Sequence, residues 1–131
     1  MVVIDASVWI SLFKRDDMFR GQANQIIQTL VADCEEISIP VIALTEVAGV
    51  MKRSTRKNNT AMKAVQEMQS MASEILVNFS ELEPVATRIA INYGIKGADA
   101  YYLAVAEITG SNLITFDKEQ QKAFEEMSKT W

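Results

Sequence analysis

Four acidic residues, far apart along the chain, are the side chains best suited to chemistry. Asp5 directly follows the first short apolar run, and Asp117 comes just after the last one. Glu46 lies early in a predicted helix that follows a second apolar run, and Asp99 lies in the first turn of an otherwise apolar predicted helix. Because strand-to-helix junctions of an open parallel sheet lie at its carboxyl edge, we expect Asp5, Glu46 and Asp117 there. The rule does not place Asp99, because its helix follows another helix.

The remaining composition restricts the chemistry that these acids could perform. The chain contains no histidine and a single cysteine, Cys34. Imidazole-dependent mechanisms, histidine-ligated zinc, and thiolate zinc or iron–sulfur sites are therefore excluded. What remains is carboxylates, hydroxyls, amines and a hard cation that prefers oxygen ligands. A single cysteine cannot form an internal disulfide, which indicates a reducing, cytoplasmic location.

Each acid also has a purely structural explanation. Asp117 is a good helix N-cap, and Gln120, three positions later, would complete a capping box. Asp99 and Glu46 lie near predicted helix N-termini, where the macrodipole favours an acid by about 0.3–1 kcal/mol. Asp5 could satisfy backbone donors at the turn into the first helix. No single acid therefore requires a functional role.

Taken together, however, acids that converge at one edge repel one another. At ~5 Å and an effective dielectric constant near 20, each like-charged pair costs about 3 kcal/mol. The total stability of a small domain is only about 5–15 kcal/mol, so helix capping does not offset several such pairs. A bound divalent cation would offset this repulsion. The nearby hydroxyls of Ser7 and Thr115 also suit a site for such a cation. The pattern favours Mg²⁺ or Mn²⁺, ions that typically act on phosphates.

A basic segment follows Glu46 on the same predicted helix. The chain as a whole carries 13 Lys and Arg against 17 Asp and Glu, a net charge of −4. Between residues 47 and 66 there is no acid, and local charge rather than global charge steers a polyanion. The segment could hold a phosphate backbone, or it could be a solvated helix face. Its candidate phosphate ligands are Lys52, Arg53, Arg56 and Lys57, with Lys63 farther along.

Short apolar runs alternate with longer amphipathic segments. Strands are predicted at 2–4, 36–40, 75–77 and 112–115. Helices are predicted from Ser7 through Phe13, over 21–32, from Val41 through Met51, and over 60–73, 84–93, 98–108 and 118–127. Ser7 is the predicted cap of the first helix, and the methionine stripe Met62, Met68 and Met71 is expected to pack in the core.

These elements predict one α/β domain over residues 1–131. The chain is 49% apolar and 23% charged, which is typical of a folded domain and excludes intrinsic disorder. Strands this apolar, separated by helices, indicate a parallel sheet covered on both faces. No window approaches the ~20 apolar residues of a membrane span, and the start of the chain does not resemble a signal peptide.

The sequence resembles the PIN-domain nucleases, in particular the VapC-type toxin ribonucleases of prokaryotic toxin–antitoxin pairs. The resemblance covers essentially the whole chain, in order. It is carried by residues 3–10 around Asp5, Glu46 after Pro40, residues 97–106 around Asp99, and residues 113–117 ending at Asp117. Each motif alone is weak, whereas all of them together in a chain of this length are specific.

The resemblance implies a parallel sheet of strand order 3-2-1-4, with a possible short fifth strand, flanked by helices on both faces. It implies that Asp5, Glu46, Asp99 and Asp117 form the catalytic acidic site. It further implies Mg²⁺ or Mn²⁺ held by Asp5, Asp99 and Asp117, RNA as substrate, a cognate antitoxin as partner and a homodimer.

The resemblance also implies supporting hydrogen bonds from Ser7 and Thr115 at that site.

Three other interpretations are weaker. A haloacid-dehalogenase-like phosphatase needs a second Asp two positions after Asp5, where this chain has Ser7. A phospho-acceptor receiver domain needs an acceptor Asp after a central strand and a Lys after a late one, and neither is evident. A catalytically inactive PIN-like interaction module would carry the same motifs without cleaving RNA.

Overall fold

Four short parallel strands form the sheet of this protein. The computed structural model describes residues 1–76 and 79–131. The strands are β1 (Val2–Ile4), β2 (Ile37–Pro40), β3 (Glu74–Leu76) and β4 (Asn112–Ile114). Their order is β3-β2-β1-β4, which confirms the predicted order. Val77, which was predicted to end the third strand, lies outside the described residues.

Seven helices are present in the described residues. They are α1 (Ala6–Phe13), α2 (Arg20–Ala32), α3 (Ile42–Thr55), α4 (Asn58–Met71), α5 (Phe79–Tyr93), α6 (Gly97–Thr109) and α7 (Lys118–Ser128). The helix α6 packs on β1, β2 and β4, and α5 packs on α6. The helix α1 contacts both α2 and α3, and α3 contacts α4. Within the described ranges, no helix combines the length and the apolar character needed to cross a bilayer.

The central strand is buried on both of its faces. In β1, Val2, Val3 and Ile4 are all buried, although successive side chains of a strand point to opposite faces. The sheet is therefore covered on both sides, as expected for apolar parallel strands. In register, Val3 lies between Ser38 of β2 and Leu113 of β4. This arrangement places the carboxyl ends of β1, β2 and β4 at one edge.

The first helix differs from its prediction at the cap. Asp5, not Ser7, is the N-cap of α1, and its side chain accepts a hydrogen bond from the Ser7 amide. The reason is that Asp5 directly follows β1, which ends at Ile4 as predicted, so its carboxylate is placed to accept from the Ser7 amide at the start of the helix. Asp5 therefore combines the capping role with its place in the candidate site.

The helices α4 and α5 also differ from their predictions. The helix α4 ends at Met71, because the chain turns into β3 at Glu74. Met62 was expected in the core but is 59% exposed. A helix turns once every 3.6 residues, so two steps of three residues place Met62 on a different helix face from the buried Met68. The helix α5 begins well before Pro84, which lies inside it. Leu82, Ala86 and Ile89 supply the reason, since they bury one continuous helical face across the proline.

The sheet of the described residues has four strands, so the possible fifth strand is not found among them. After α7, Trp131 packs edge-on against Phe124, with ring centroids 5.6 Å apart. The last residues therefore contact α7 rather than the free edge of β4.

Candidate active site

Asp5 is the most constrained of the four acids. It lies between β1 and α1 and is only 3% exposed. Three donors converge on its Oδ2 atom: the Ser7 amide at 3.1 Å, the Ser7 hydroxyl at 2.6 Å and the Thr115 hydroxyl at 3.0 Å. Asp5 is thereby fixed across the gap between the carboxyl ends of β1 and β4.

The other oxygen of Asp5 has no such partner. Asp5 Oδ1 and Ser38 Oγ are the two buried side-chain polar atoms that lack a hydrogen bond within residues 1–76 and 79–131. A buried carboxylate oxygen without a donor costs free energy unless a cation or water satisfies it. Asp5 Oδ1 thus fits a cation ligand, and its hard oxygen chemistry matches Mg²⁺ or Mn²⁺.

A hydroxyl and amide network connects Asp5 to the elements that carry Asp99 and Asp117. The Ser7 hydroxyl accepts from the Phe116 amide at 3.0 Å, and the Thr115 hydroxyl accepts from the Asp117 amide at 3.0 Å. Thr115 Oγ1 also lies 3.2 Å from Gln120 Oε1, and Gln120 Nε2 donates to the Asp99 carbonyl at 3.2 Å. The network supports the predicted roles of Ser7 and Thr115 by geometry, and it adds the buried Gln120, which sequence reasoning missed as a site residue.

Asp117 caps α7, but the predicted capping box is only half formed. Asp117 Oδ1 accepts from the Gln120 amide at 3.0 Å. The reciprocal bond is absent, because the Asp117 amide donates to Thr115 and the Gln120 side chain turns toward Thr115 and Asp99. The Gln120 side chain therefore connects α7 to α6 instead of capping the end of its own helix.

Glu46 lies in the second turn of α3 and is half-buried. The Tyr102 hydroxyl of α6 donates to Glu46 Oε1 at 2.7 Å. Burial raises the pKa of the Glu46 carboxyl, the Tyr102 hydrogen bond lowers it, and the charges of Asp5 and Asp99 raise it further. Tyr102 was missed as a site residue. Adjacent helical residues point about 100° apart, so Tyr101 and Tyr102 cannot both point well into the core, and Tyr102 is the ring that is buried there.

Asp99 joins the same electrostatic environment from the first turn of α6. Burial raises the pKa of its carboxyl, the charges of Asp5, Asp117 and Glu119 raise it further, and Lys96 lowers it. Glu46 and Asp99 are therefore both affected by the charge of Asp5. Asp99, which the junction rule could not place, lies near enough to Asp5 and Asp117 for their charges to affect its carboxyl.

The charges of neighbouring acids raise the pKa values of Glu46 and Asp99, but the four acids do not form a complete set of metal ligands. Across the described part of the chain, no group of three acidic or cysteine side chains is close enough to hold one ion jointly. Mg²⁺ often keeps several waters and takes only one or two carboxylates directly, so the donors present still fit it. The ligand set Asp5, Asp99 and Asp117 stays a prediction.

The basic segment lies away from the acids. Lys52, Arg53, Arg56 and Lys57 are all exposed, at the end of α3 and in the turn to α4. At 1.5 Å of rise per residue, Lys52 is about 9 Å and Arg56 about 15 Å along α3 from Glu46. None of the four forms an ion pair with any residue that the structure describes. The structure does not bring them to the carboxylates, and their phosphate-binding role stays a prediction.

A basic cleft lies next to this segment, between α1–α2 and α3–α4. It consists of two adjoining cavities of about 600 and 510 Å³, which share Phe13, Arg15, Thr60 and Lys63. Its apolar lining includes Leu12, Ile27 and Met51. Its charged lining consists of five cations and two acids: Lys14, Arg15, Arg20, Lys57, Lys63, Asp16 and Glu67. None of the four acids lines this cleft.

Comparison with known proteins decides the family. The PIN domain family matches residues 2–126, almost the whole chain. The chain belongs to the PIN domain family. As a PIN domain, it is 23% identical over 128 residues to ribonuclease VapC3 of Pyrobaculum aerophilum, covering 94% of each protein. The acidic site therefore lies in a fold of the kind that the resemblance implied.

Solved structures give the same fold. This PIN domain is similar to the Mycobacterium tuberculosis toxin VapC20, described as cleaving the sarcin–ricin loop, with a TM-score of 0.79 and 21% identity over 94% of this chain and 95% of that one. It is also similar to a chain of a toxin–antitoxin complex from Klebsiella pneumoniae, with a TM-score of 0.69 and 22% identity over 92% and 89%. These likenesses confirm the predicted α/β fold.

Proposed function

We propose that this PIN domain is a Mg²⁺- or Mn²⁺-dependent ribonuclease that hydrolyses RNA phosphodiester bonds, and that it is the toxin of a toxin–antitoxin pair. The observation that carries the proposal is Asp5, a buried carboxylate with one oxygen held by three donors and the other without a partner. Glu46 and Asp99 lie near enough to Asp5 for its charge to raise their pKa values. The ribonuclease and toxin relatives support RNA as the substrate.

In this proposal the site residues have distinct roles in binding the ion. Asp5, Asp99 and Asp117 would hold the ion in part through the waters that it retains, and Ser7 and Thr115 keep Asp5 in place by hydrogen bonds. When bound, Mg²⁺ or Mn²⁺ lowers the pKa of water and stabilises negative charge on a phosphate.

Glu46 is the proton acceptor in this proposal. Its Oε1 atom is occupied by the Tyr102 hydroxyl, which leaves Oε2 to accept a proton. Its raised pKa makes Glu46 a stronger base than an ordinary carboxylate. The basic segment Lys52, Arg53, Arg56 and Lys57 would hold the flanking phosphates of the RNA, because single-stranded RNA presents a regular row of negative charges.

Cleavage of total RNA with and without Mn²⁺ tests the proposal. We expect fragments with Mn²⁺, none with a chelator, and a loss of at least about 100-fold in rate for Asp5→Asn, which keeps the shape of the side chain but not its charge. Asp33→Asn, which changes an exposed acid at the end of α2, is the matched control and should cleave normally. Intact RNA with the folded, Mn²⁺-saturated parent would instead support an inactive interaction module.

An antitoxin is the proposed protein partner. The relative from Klebsiella pneumoniae occurs in a toxin–antitoxin complex, which supports this assignment. In this chain, the basic cleft combines an apolar lining with five cationic and two acidic side chains, and this excess of positive charge complements an acidic amphipathic segment. Activity on RNA would place the protein in the cytoplasm. The homodimer remains a prediction, which light scattering would test.

A further inference from the structure

Tyr102 links two acid-bearing helices at the centre of the candidate site. It is 0% exposed, on α6, and its hydroxyl donates to Glu46 Oε1 of α3 at 2.7 Å, across 56 positions of sequence. Asp99 and Tyr102 are three positions apart on α6, a spacing that places two side chains on the same face of a helix. One helix face therefore presents one acid directly and holds a second acid through the tyrosine.

The environment of Glu46 explains why such a link is needed. Glutamate has a flexible side chain, and ordering it costs conformational free energy. Glu46 is half-buried and is affected by the charges of Asp5 and Asp99, so repulsion and hydration both favour rotamers that turn its carboxylate outward. A buried tyrosine hydroxyl needs a hydrogen-bond partner, and a carboxylate is a strong acceptor. The bond therefore satisfies the phenol and retains the acid.

We infer that Tyr102 is a positioning residue, which holds the Glu46 carboxylate in one orientation beside Asp5 and Asp99. Only the effect of this role on catalysis rests on the proposed ribonuclease function. The orientation of Glu46 itself is a property of the folded chain. The contact requires the phenolic oxygen and not the ring, because the ring packs in the core and only the hydroxyl reaches Glu46.

The variant Tyr102→Phe removes this hydroxyl and keeps the ring. We expect kcat for RNA cleavage to fall about 10- to 100-fold, the range of one hydrogen bond to a charged group, with little change in KM. Tyr93→Phe, at the end of α5, is the matched control and should leave kcat unchanged. An unchanged kcat in Tyr102→Phe would overturn the inference.

A double-mutant cycle separates positioning from packing. If Tyr102 acts through Glu46, Tyr102→Phe should cause no further loss of kcat in a Glu46→Gln background. An equal loss in both backgrounds would overturn the inference and assign Tyr102 to packing alone.

Side-chain NMR couplings of Glu46 provide a readout that does not depend on catalysis. In the metal-free parent we expect the couplings of a single staggered rotamer, and in Tyr102→Phe the averaged values of several rotamers. Averaged couplings in the parent would overturn the inference even if no variant could be purified. If the parent shows one rotamer but cleaves no RNA, the proposed function fails and the positioning of Glu46 stands.

Discussion

At the scale of single residues, the site is defined by carboxylates whose charge the fold disfavours. Burial and neighbouring acids raise the pKa values of Glu46 and Asp99. A carboxyl whose pKa is higher in the folded state binds protons more tightly there than in the unfolded chain. Its contribution to stability therefore declines as pH rises from the ordinary carboxyl range through the raised value. The metal-free protein at neutral pH carries this cost.

Replacement of Asp99 by Asn should stabilise the metal-free protein while it abolishes cleavage. The change removes a charge that Asp5 and Asp117 repel, so we expect Tm in chelator at pH 7.5 to rise by about 2–5 °C, which corresponds to about 1 kcal/mol. The gain should disappear at a pH well below the ordinary carboxyl pKa, where Asp99 is protonated in both states. Asp33→Asn is the control. A variant less stable than its parent would show that Asp99 is mainly a structural cap.

At the scale of elements, Thr115 joins three secondary-structure junctions. Its hydroxyl contacts Asp5 at the start of α1, the Asp117 amide at the start of α7, and Gln120, which in turn reaches the Asp99 carbonyl of α6. The residue that directly follows β4 therefore provides a polar connection between elements that carry three of the acids.

Replacement of Thr115 by Val should disrupt this connection without changing the shape of the side chain. The loss of the hydroxyl leaves the Asp117 amide and one side of Asp5 without their partners, so we expect a fall of about 1–3 kcal/mol in the free energy of unfolding. Urea denaturation measures it. The control Thr29→Val removes a hydroxyl that bonds the Gln25 carbonyl on the exposed side of α2, and it should cost less than about 0.5 kcal/mol. Equal losses in both variants would contradict a special role for Thr115.

At the scale of the whole molecule, a cation should stabilise the fold because it relieves a repulsion that folding creates. Mn²⁺ at 100 times its Kd should add about 2.7 kcal/mol to the free energy of unfolding and raise Tm at pH 7.5. The shift should shrink as pH falls through the raised pKa values of Glu46 and Asp99, because protons then compete with the ion. Differential scanning calorimetry measures both effects. Asp5→Asn should show little shift, and no shift in the parent at saturating Mn²⁺ would count against the metal site.

The distribution of charge over the molecule makes a separate prediction about RNA affinity. If Arg56 contacts a phosphate, Arg56→Gln should weaken RNA binding and reduce the slope of log K against log salt by about 0.7–1. Lys129→Gln, at the end of α7, should leave the slope unchanged. Fluorescence anisotropy at several salt concentrations, with Ca²⁺ in place of Mn²⁺ to suppress cleavage, measures the slope. Equal slopes in the parent and in Arg56→Gln would assign Arg56 to a solvated helix face.

Much of the fold follows from local pattern, because apolar periodicity and turn residues act over a few positions. The runs around Val3, Ile39 and Leu113 became parallel strands in the predicted order, and the basic segment emerged at the end of a helix. Local pattern was insufficient where distant packing decided the outcome. The helix α5 continues through Pro84, and Met62 is exposed, because each depends on which face of its helix the rest of the molecule covers.

The sequence by itself determined which chemistry is available and where its acids stand relative to the strands: no imidazole, one thiol, and carboxylates after apolar runs. Only the tertiary structure decided which atoms meet. Asp99 joins Asp5 and Asp117 because α6 packs across the sheet, and Glu46 is held by Tyr102 because α3 and α6 approach each other. The Tyr102–Glu46 hydrogen bond joins residues 56 positions apart, and its geometry depends on the packing of whole helices, which no local pattern encodes.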